Sequence, residues 1–289
     1  MYNGVINVYK PKGFTSHDVV SKIRRIAGMK KVGHTGTLDP LAEGVLPICL
    51  GKATRISEYL ISADKEYLAE ITFGQQTDTM DAEGEVVSEC VLPDLTSGDF
   101  SLLLQSFTGE SKQVPPIYSA IKKDGKPLYK YARSGIAVDV PERLIFISQI
   151  SLLSYNQNKA RFLVACSKGT YIRSLAADIA RKAGSCGYLS FLQRTKSGRY
   201  ELEKTVTLDQ LETEGVEQHL FTIDQSLPDF LRISLNEEES KKASLGNAVI
   251  RPEFSEMQHE QVKIVNDKGL VIAIGRIAGG SLQPKKVFV

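Results

Sequence analysis

The sequence lacks any apolar run long enough for a signal peptide or a membrane span, and its N-terminus reads MYNGVINVYKPKG. Its four cysteines, Cys49, Cys90, Cys166 and Cys186, form no CxxC pair and no framework of the kind that small secreted proteins carry. We therefore expect a reduced, cytoplasmic protein with no membrane association.

Cofactor and metal motifs are missing as well. No GxGxxG follows a strand-like run, and LPICLGKAT lacks both the first glycine and the final hydroxyl residue of a P-loop. The four histidines, His17, His34, His219 and His259, form neither HExxH nor a Cys/His metal spacing, and no GxSxG is present. We expect an activity that needs no cofactor and no metal.

Net charge is small, at +2 from 36 basic and 34 acidic residues, but the charges are segregated along the chain. Residues 109–198 carry 15 basic and 5 acidic residues, whereas residues 61–108 carry 1 basic and 10 acidic residues. Such blocks can build one basic face on a nearly neutral protein, since local potential steers a polyanion better than net charge does. The blocks can equally interleave in space, so charge alone leaves a nucleic-acid partner open.

Hydrophobic periodicity predicts a mixed α and β chain. Strands are predicted at 4–9, 66–73, 144–155 and 160–166, helices at 16–27, 53–60 and 171–183, and loops at 29–44 and 74–85. Ser16 and Thr170 are the predicted N-caps. Short β-rich pieces follow residue 230 and predict a small β-barrel module. The fold class is therefore α+β, with a mainly antiparallel sheet, flanking helices and domains at 1–229 and 230–289.

The segment richest in candidate functional residues is GHTGTLDPLAEG, residues 33–44. Its glycines allow close approach of the backbone to a ligand. Asp39 precedes Pro40, and this pair is also typical of a helix N-cap followed by proline at the first helical position. Spacing alone does not decide between a cap and a functional carboxylate.

KVGHTGTLDPLAEGVLP, with KPKGFTSHDVV before it, resembles the bacterial TruB family, whose members make pseudouridine in the T-loop of tRNA. Three more stretches match in the same order: KEYLAEITFGQQTDTMDAEGE, PPIYSAIKKDGKPLYKYAR and SKGTYIRSLAADIARKAG. The resemblance extends over about residues 4–213 and implies the pseudouridine-synthase fold. The tail resembles the PUA-type RNA-binding domain of bacterial members.

The resemblance implies that Asp39 is the catalytic aspartate, that Arg173 pairs with it and that Tyr67 is the active-site tyrosine. Isomerising uridine 55 breaks the N1–C1′ bond, turns the base and joins C5 to C1′. The carboxylate can attack C1′, attack C6 or act as a base at C2′, and the sequence leaves these routes open. We expect a bidentate Arg173 pair that keeps Asp39 ionised, and a Tyr67 phenol that assists proton transfer at C5.

The same resemblance implies an RNA interface. His34 is expected to occupy the space that the flipped base vacates, and Leu192 to close the pocket. Residues 117–131 hold four lysines and three tyrosines, within an insertion at about 109–134 that packs on the T-arm in the family. The predicted substrate-binding residues are His34, Tyr171, Leu192, Lys10, Tyr118, Lys122 and Lys123. A second basic group suited to phosphate comprises Lys22, Arg24, Arg25, Lys30 and Lys31.

The expected partner is the T-stem-loop of tRNA, bound by a monomer, since no interface signature is visible. Two alternatives remain. One is a non-catalytic protein that binds or folds tRNA, for which Asp39 is dispensable. The other is a related synthase that acts on another RNA with a guide complex.

Overall fold

A computed structural model describes residues 1–136 and 138–288. In chain order the described strands are β1 (Gly4–Lys10), β2 (Val32–His34), β3 (Glu43–Leu50), β4 (Lys65–Phe73), β5 (Gln75–Thr77), β6 (Val86–Glu89), β7 (Gly109–Gln113), β8 (Lys122–Lys123), β9 (Lys126–Pro127), β10 (Arg143–Asn156), β11 (Lys159–Cys166), β12 (Gly187–Ser197), β13 (Tyr200–Glu201), β14 (Leu220–Phe221), β15 (Leu231–Ser234), β16 (Val249–Ile250), β17 (His259–Val265), β18 (Val271–Ala278) and β19 (Ser281–Val287). The α-helices are α1 (Ser16–Ile26), α2 (Ser57–Ile61), α3 (Ser97–Gln105), α4 (Leu128–Arg133), α5 (Ile172–Lys182), α6 (Leu208–Glu214), α7 (Ile223–Ser226) and α8 (Glu237–Ser244).

The described residues place ten strands in one large sheet, in the order β14-β1-β3-β12-β4-β11-β10-β7, with β13 beside β12 and β2 beside β3. Its strand pairs are antiparallel apart from β3 and β12, which run parallel where Arg194 meets Gly44. Helices α3 and α5 cover one part of the sheet and α1 and α6 another, each over its own hydrophobic cluster. The predicted α+β class with a mainly antiparallel sheet is confirmed.

Strand β4 follows the predicted alternation of buried and less buried residues: Tyr67, Ala69, Ile71 and Phe73 are buried, and the residues between them are only partly buried. Four local predictions are wrong. Thr15, not Ser16, caps α1, in a capping box with Asp18, and Tyr171, not Thr170, is the N-cap of α5. The predicted loops at 29–44 and 74–85 contain the short strands β2 and β5, whose residues lack the length for a periodic signal.

The C-terminal strands form a separate five-stranded sheet in the order β15-β17-β18-β19-β16. This sheet packs against the large one, since Ile274 and Phe288 share a hydrophobic cluster with Val5, Val45 and other residues of the first strands. No helix of the described residues is long and apolar enough to cross a membrane.

The expectation that all cysteines are reduced is corrected by a disulfide between Cys90 and Cys186. The two residues are 96 positions apart, and their Cα atoms lie 5.7 Å apart because the β5–β6 hairpin folds back onto the start of β12. Cys49 and Cys166 are buried free thiols. Spacing along the chain does not reveal a pair that only the tertiary fold brings together.

Candidate active site

A cleft of about 400 Å³ opens where β4, β12 and the start of α5 meet the loop between β2 and β3. Six of the predicted site residues line it: His34, Asp39, Tyr67, Tyr171, Arg173 and Leu192. A neighbouring cavity of about 490 Å³, toward the C-terminal sheet, is larger but contains none of them. The smaller cleft is the candidate site because it holds a carboxylate, a guanidinium and a phenol together.

Asp39 lies in the loop between β2 and β3, and two side chains form hydrogen bonds with the backbone of this loop. The hydroxyl of Ser16 accepts a hydrogen bond from Leu38 N at 2.8 Å and donates one to Leu38 O at 3.1 Å. The ammonium of Lys10 donates to the carbonyls of Pro11, Phe14 and Pro40. Asp39 is thus flanked by two anchored residues, while its own side chain remains 38% exposed and open to a ligand.

Arg173 projects from the first turn of α5 and is buried beneath the carboxylate. Its Nε lies 2.9 Å from Asp39 Oδ2. Its two terminal nitrogens donate to Thr79 O at 3.2 Å and Tyr118 O at 2.9 Å. The expected bidentate pair is therefore wrong in geometry, because the fork of the guanidinium is occupied by backbone carbonyls and only Nε faces Asp39.

A second carboxylate, Asp81, was missed by the sequence reasoning. Its Oδ2 lies 3.6 Å from Arg173 Nη1, and its Oδ1 accepts hydrogen bonds from Thr79 Oγ1 at 2.7 Å and Glu83 N at 3.1 Å. The side chain is only 5% exposed. Asp81 lies in an acidic, polar segment with no periodicity, and the only available signal was its position within a matching stretch.

Three contributions to the electrostatic balance at Asp39 are the largest. Burial raises the pKa of its carboxyl above the ordinary 3.8, the Arg173 guanidinium opposes this, and the charge of Asp81 adds to the rise. Arg173 thus favours the ionised form of Asp39 but shares its charge between two carboxylates.

Tyr67 and Leu192 lie on neighbouring strands on the buried side of the cleft. Tyr67 on β4 is 8% exposed, and burial raises the pKa of its phenol, whereas the facing charge of Arg194 on β12 opposes that rise. Leu192 is 6% exposed and pairs with Ala69. Tyr171 caps α5, and its backbone N–H and C=O bond the side-chain amide of Gln113.

His34 and Lys10 differ in their access to a ligand. His34 lines the cleft, and burial together with the charge of Arg194 lowers the pKa of its imidazole, which favours the neutral form. Lys10 is fully buried, and burial lowers its pKa to about 8. The ammonium of Lys10 donates to backbone carbonyls of the segment after β1 and of the Asp39 loop, and Lys10 does not line the cleft. Its role in substrate binding stays a prediction.

The remaining predicted contacts, Tyr118, Lys122 and Lys123, are not among the residues that line the cleft. The backbone carbonyl of Tyr118 accepts a hydrogen bond from Arg173, whereas Lys122 and Lys123 form strand β8, which pairs with β9. Lys122 is exposed, and Lys123 Nζ donates to Asp139 O at 2.8 Å. The insertion predicted at about 109–134 starts with β7, whose residues 109–113 form an edge strand of the large sheet, and its bounds stay a prediction.

Part of the second basic group is paired within the protein. Lys22 and Arg25 lie within 4 Å of Glu212 on α6, and Arg24 donates to Val32 O. Lys30 and Lys31 are exposed. Within residues 1–136 and 138–288, no cluster of three or more histidine, cysteine, aspartate or glutamate side chains is placed to hold a metal ion.

Comparison with known proteins identifies this arrangement. The sequence pattern of the TruB family pseudouridylate synthase N-terminal domain matches residues 24–172. The tRNA pseudouridine synthase B of Caldanaerobacter subterraneus subsp. tengcongensis is 42% identical over 99% of both chains. That of Bacillus subtilis is 42% identical over 100% of this chain and 98% of its own length.

The fold gives the same result. A chain in the crystal structure of a Cbf5–Nop10–Gar1 complex superposes with a TM-score of 0.74 at 26% identity, covering 99% of this chain and 85% of that one. Sequence, fold and site therefore agree, and the chain belongs to the TruB family of pseudouridylate synthases.

Proposed function

We propose that the protein converts uridine 55 in the T-loop of tRNA to pseudouridine. Family membership and 42% identity to tRNA pseudouridine synthases B over nearly the whole chain support a tRNA substrate. The observation that carries the catalytic assignment is the Arg173–Asp39 ion pair, which shares one cleft with Tyr67.

The proposed chemistry follows from the three side chains. The uridine leaves the T-loop stack and enters the cleft, where Asp39 acts on C1′, on C6 or on the C2′ proton. The N1–C1′ bond breaks, the base turns and C5 joins C1′. The proton on C5 then leaves to a base, and N1 gains one, so no proton is consumed overall. We assign the role of this base to Tyr67, because its phenol shares the cleft with Asp39.

RNA binding is assigned to the surfaces around the cleft. His34 fills the space that the base leaves, Leu192 and Tyr171 line the pocket, and Tyr118, Lys122 and Lys123 belong to a protruding segment that contacts the T-arm. Residues 1–229 are the catalytic domain, and residues 230–289 are a PUA-like RNA-binding domain. The protein acts in the cytoplasm as a monomer.

The test is to incubate the protein with tRNA and with an isolated T-stem-loop, and to map pseudouridine by nuclease digestion and mass spectrometry. Asp39→Asn is expected to abolish product while leaving the Kd for tRNA unchanged. Asp178→Asn is the matched control, since Asp178 lies on α5 outside the cleft and pairs with Arg181. An active Asp39→Asn protein would overturn the assignment.

The alternatives give different outcomes. A protein that only binds or folds tRNA makes no pseudouridine in tRNA or in the T-stem-loop, and Asp39→Asn leaves its binding and folding activity intact. A guide-dependent synthase leaves the isolated T-stem-loop unmodified. The higher identity to the tRNA enzymes, 42% against 26% for the Cbf5 chain, favours the T-loop reaction.

A further inference from the structure

Arg194 carries a charge for which the proposed reaction has so far given no role. It lies on β12 at the parallel junction with β3, and the whole residue is only 1% exposed. Arg194 lines the wall of the cleft, but with so little exposed surface it is not a contact for the phosphates of an RNA bound at the protein surface. Its charge acts on whatever it faces inside the protein.

The contacts of Arg194 join the two halves of the site. Its Nε donates to Val45 O at 2.7 Å, and its Nη2 donates to Gly36 O at 3.2 Å. These carbonyls lie on either side of the segment that carries Asp39. Arg194 is also the direct cross-strand partner of Tyr67 in the antiparallel β4–β12 pair. In such a pair the two Cβ atoms lie about 5 Å apart on the same face of the sheet.

Among the residues that the structure describes, Arg194 has no carboxylate partner at ion-pair distance. Within residues 1–136 and 138–288, no carboxylate oxygen lies within 4.0 Å of the Arg194 guanidinium nitrogens. Arg173, by contrast, has two carboxylate partners, Asp39 and Asp81. Two buried cations, Lys10 and Lys65, lie within reach of the field of Arg194: burial is the largest cause of their lowered pKa, and the charge of Arg194 adds to it. Burying an unpaired cation beside other cations opposes folding, which points to a role in function.

We propose that Arg194 is a positioning residue that holds the Tyr67 phenol against the Asp39 loop and stabilises its phenolate form during proton transfer. The inference rests on the proposed function. In the step concerned, the Tyr67 phenol first releases its proton, which N1 gains. The C5–H bond then breaks, its proton moves to the phenolate oxygen and its electron pair returns to the ring, so the neutral phenol is restored. A phenolate in a buried site needs a facing cation, and Arg194 is that cation.

The decisive variant is Arg194→Lys, because a lysine there is expected to titrate within the working range. Burial lowers the pKa of both neighbouring lysines, Lys10 and Lys65, to about 8. An arginine stays charged throughout. The single-turnover rate constant is measured from about pH 6 to about pH 10 with tRNA and excess enzyme. We expect the rate constant of the variant to fall above about pH 8, whereas the rate constant of the unchanged protein shows no such fall.

The other titratable groups near position 194 are the same in the unchanged protein and in the Arg194→Lys variant. Tyr67 is faced by Asp39, Cys166 and Arg194, and His34 by His17 and Arg194. Their titrations appear in both pH profiles, so the new limb belongs to the introduced lysine. A variant profile parallel to that of the unchanged protein overturns the proposal, since packing alone does not depend on the charge.

Arg194→Gln supplies a second measurement. We expect its rate constant to fall by about 100-fold or more at every pH, with an unchanged Kd for tRNA. Arg161→Gln is the matched control: Arg161 lies on β11 over the ring of Phe191 and does not line the cleft, so its rate is expected to stay normal. Loss of tRNA affinity as the sole effect of Arg194→Gln, or full activity, refutes the role.

Failure of this inference is distinguishable from failure of the proposed function. If the unchanged protein makes no pseudouridine in tRNA, the proposed function fails. If it is active and Arg194→Lys shows no new pH limb, the function stands and the role of Arg194 is refuted.

Discussion

The two hydroxyl residues at the start of α1 have different partners, and exchanging each for alanine separates helix capping from support of the catalytic loop. Thr15 is exposed and caps the helix, whereas Ser16 is buried and bonds both the N–H and the C=O of Leu38. Removing the Ser16 hydroxyl leaves a buried backbone N–H without a partner, which costs about 1–3 kcal/mol. We expect Ser16→Ala to lower the free energy of unfolding by about 2 kcal/mol.

The larger effect is expected on catalysis. Leu38 is the residue before Asp39, so the loop can relieve its unpaired N–H only by moving the carboxylate. A bias of about 1.4 kcal/mol toward a displaced loop reduces the competent fraction tenfold. We therefore expect kcat of Ser16→Ala to fall by about tenfold or more, with little change in the Kd for tRNA. Single-turnover conversion of a T-stem-loop and a filter-binding titration measure the two quantities.

Thr15→Ala is the control. It removes the cap and is expected to lower the unfolding free energy by about 1 kcal/mol while leaving kcat unchanged. Urea unfolding of both variants places them on one stability scale. Equal kcat values for the two variants would refute the reasoning, because the anchored loop would then have no influence on Asp39.

Three further predictions concern charge and packing. Burial raises the pKa of Asp39 in the folded state, so ionisation of this carboxyl destabilises the folded protein as the pH rises through that pKa. Asp39→Asn should therefore raise the Tm at pH 7, and the difference from the unchanged protein should shrink toward about pH 4. A Tm of the variant below that of the unchanged protein at pH 7 contradicts this. Gly44 has φ +101°, and an added Cβ would lie 2.4 Å from Arg194 O, so Gly44→Ala should cost about 3 kcal/mol or more in urea unfolding. Gly33→Ala, whose Cβ meets nothing within 4 Å, should cost about 1 kcal/mol at most, and similar losses for both would contradict the packing argument. Affinity for tRNA should fall at least about tenfold between about 50 and 200 mM salt, and a flat response in an electrophoretic binding assay argues against a basic interface.

Long periodic segments were predictable because their pattern reports burial directly. The strands β4, β10 and β11 and the helix α5 follow from alternating or helical spacing of apolar residues. Short elements were not. β2 and β5 have three residues each, and only pairing with β3 and β6 defines them. The N-cap of α1 was misplaced by one residue because Thr15 and Ser16 are both good caps by type.

The same distinction holds in the site. Asp39, Tyr67 and Arg173 were assigned through the resemblance, since each alone is an ordinary loop, strand or helix residue. Their approach within one cleft depends on sheet order, which places β12 between β3 and β4. Asp81 and Arg194 were missed because one lies in an acidic loop and the other in a basic block, where nothing in the local sequence marks them as buried.

The basic residues of the block 109–198 differ in burial and therefore in what their charges can do. Residues 109–198 combine two kinds of cation that the sequence does not distinguish. Arg173 and Arg194 are buried and serve the Asp39 loop and Tyr67, whereas Lys122 and Lys130 are exposed and available to phosphate. Only exposed cations release counterions when RNA binds, so the salt dependence of affinity reports on the second kind alone. Substitutions of the buried arginines should therefore change the rate of isomerisation without changing the slope of affinity against salt.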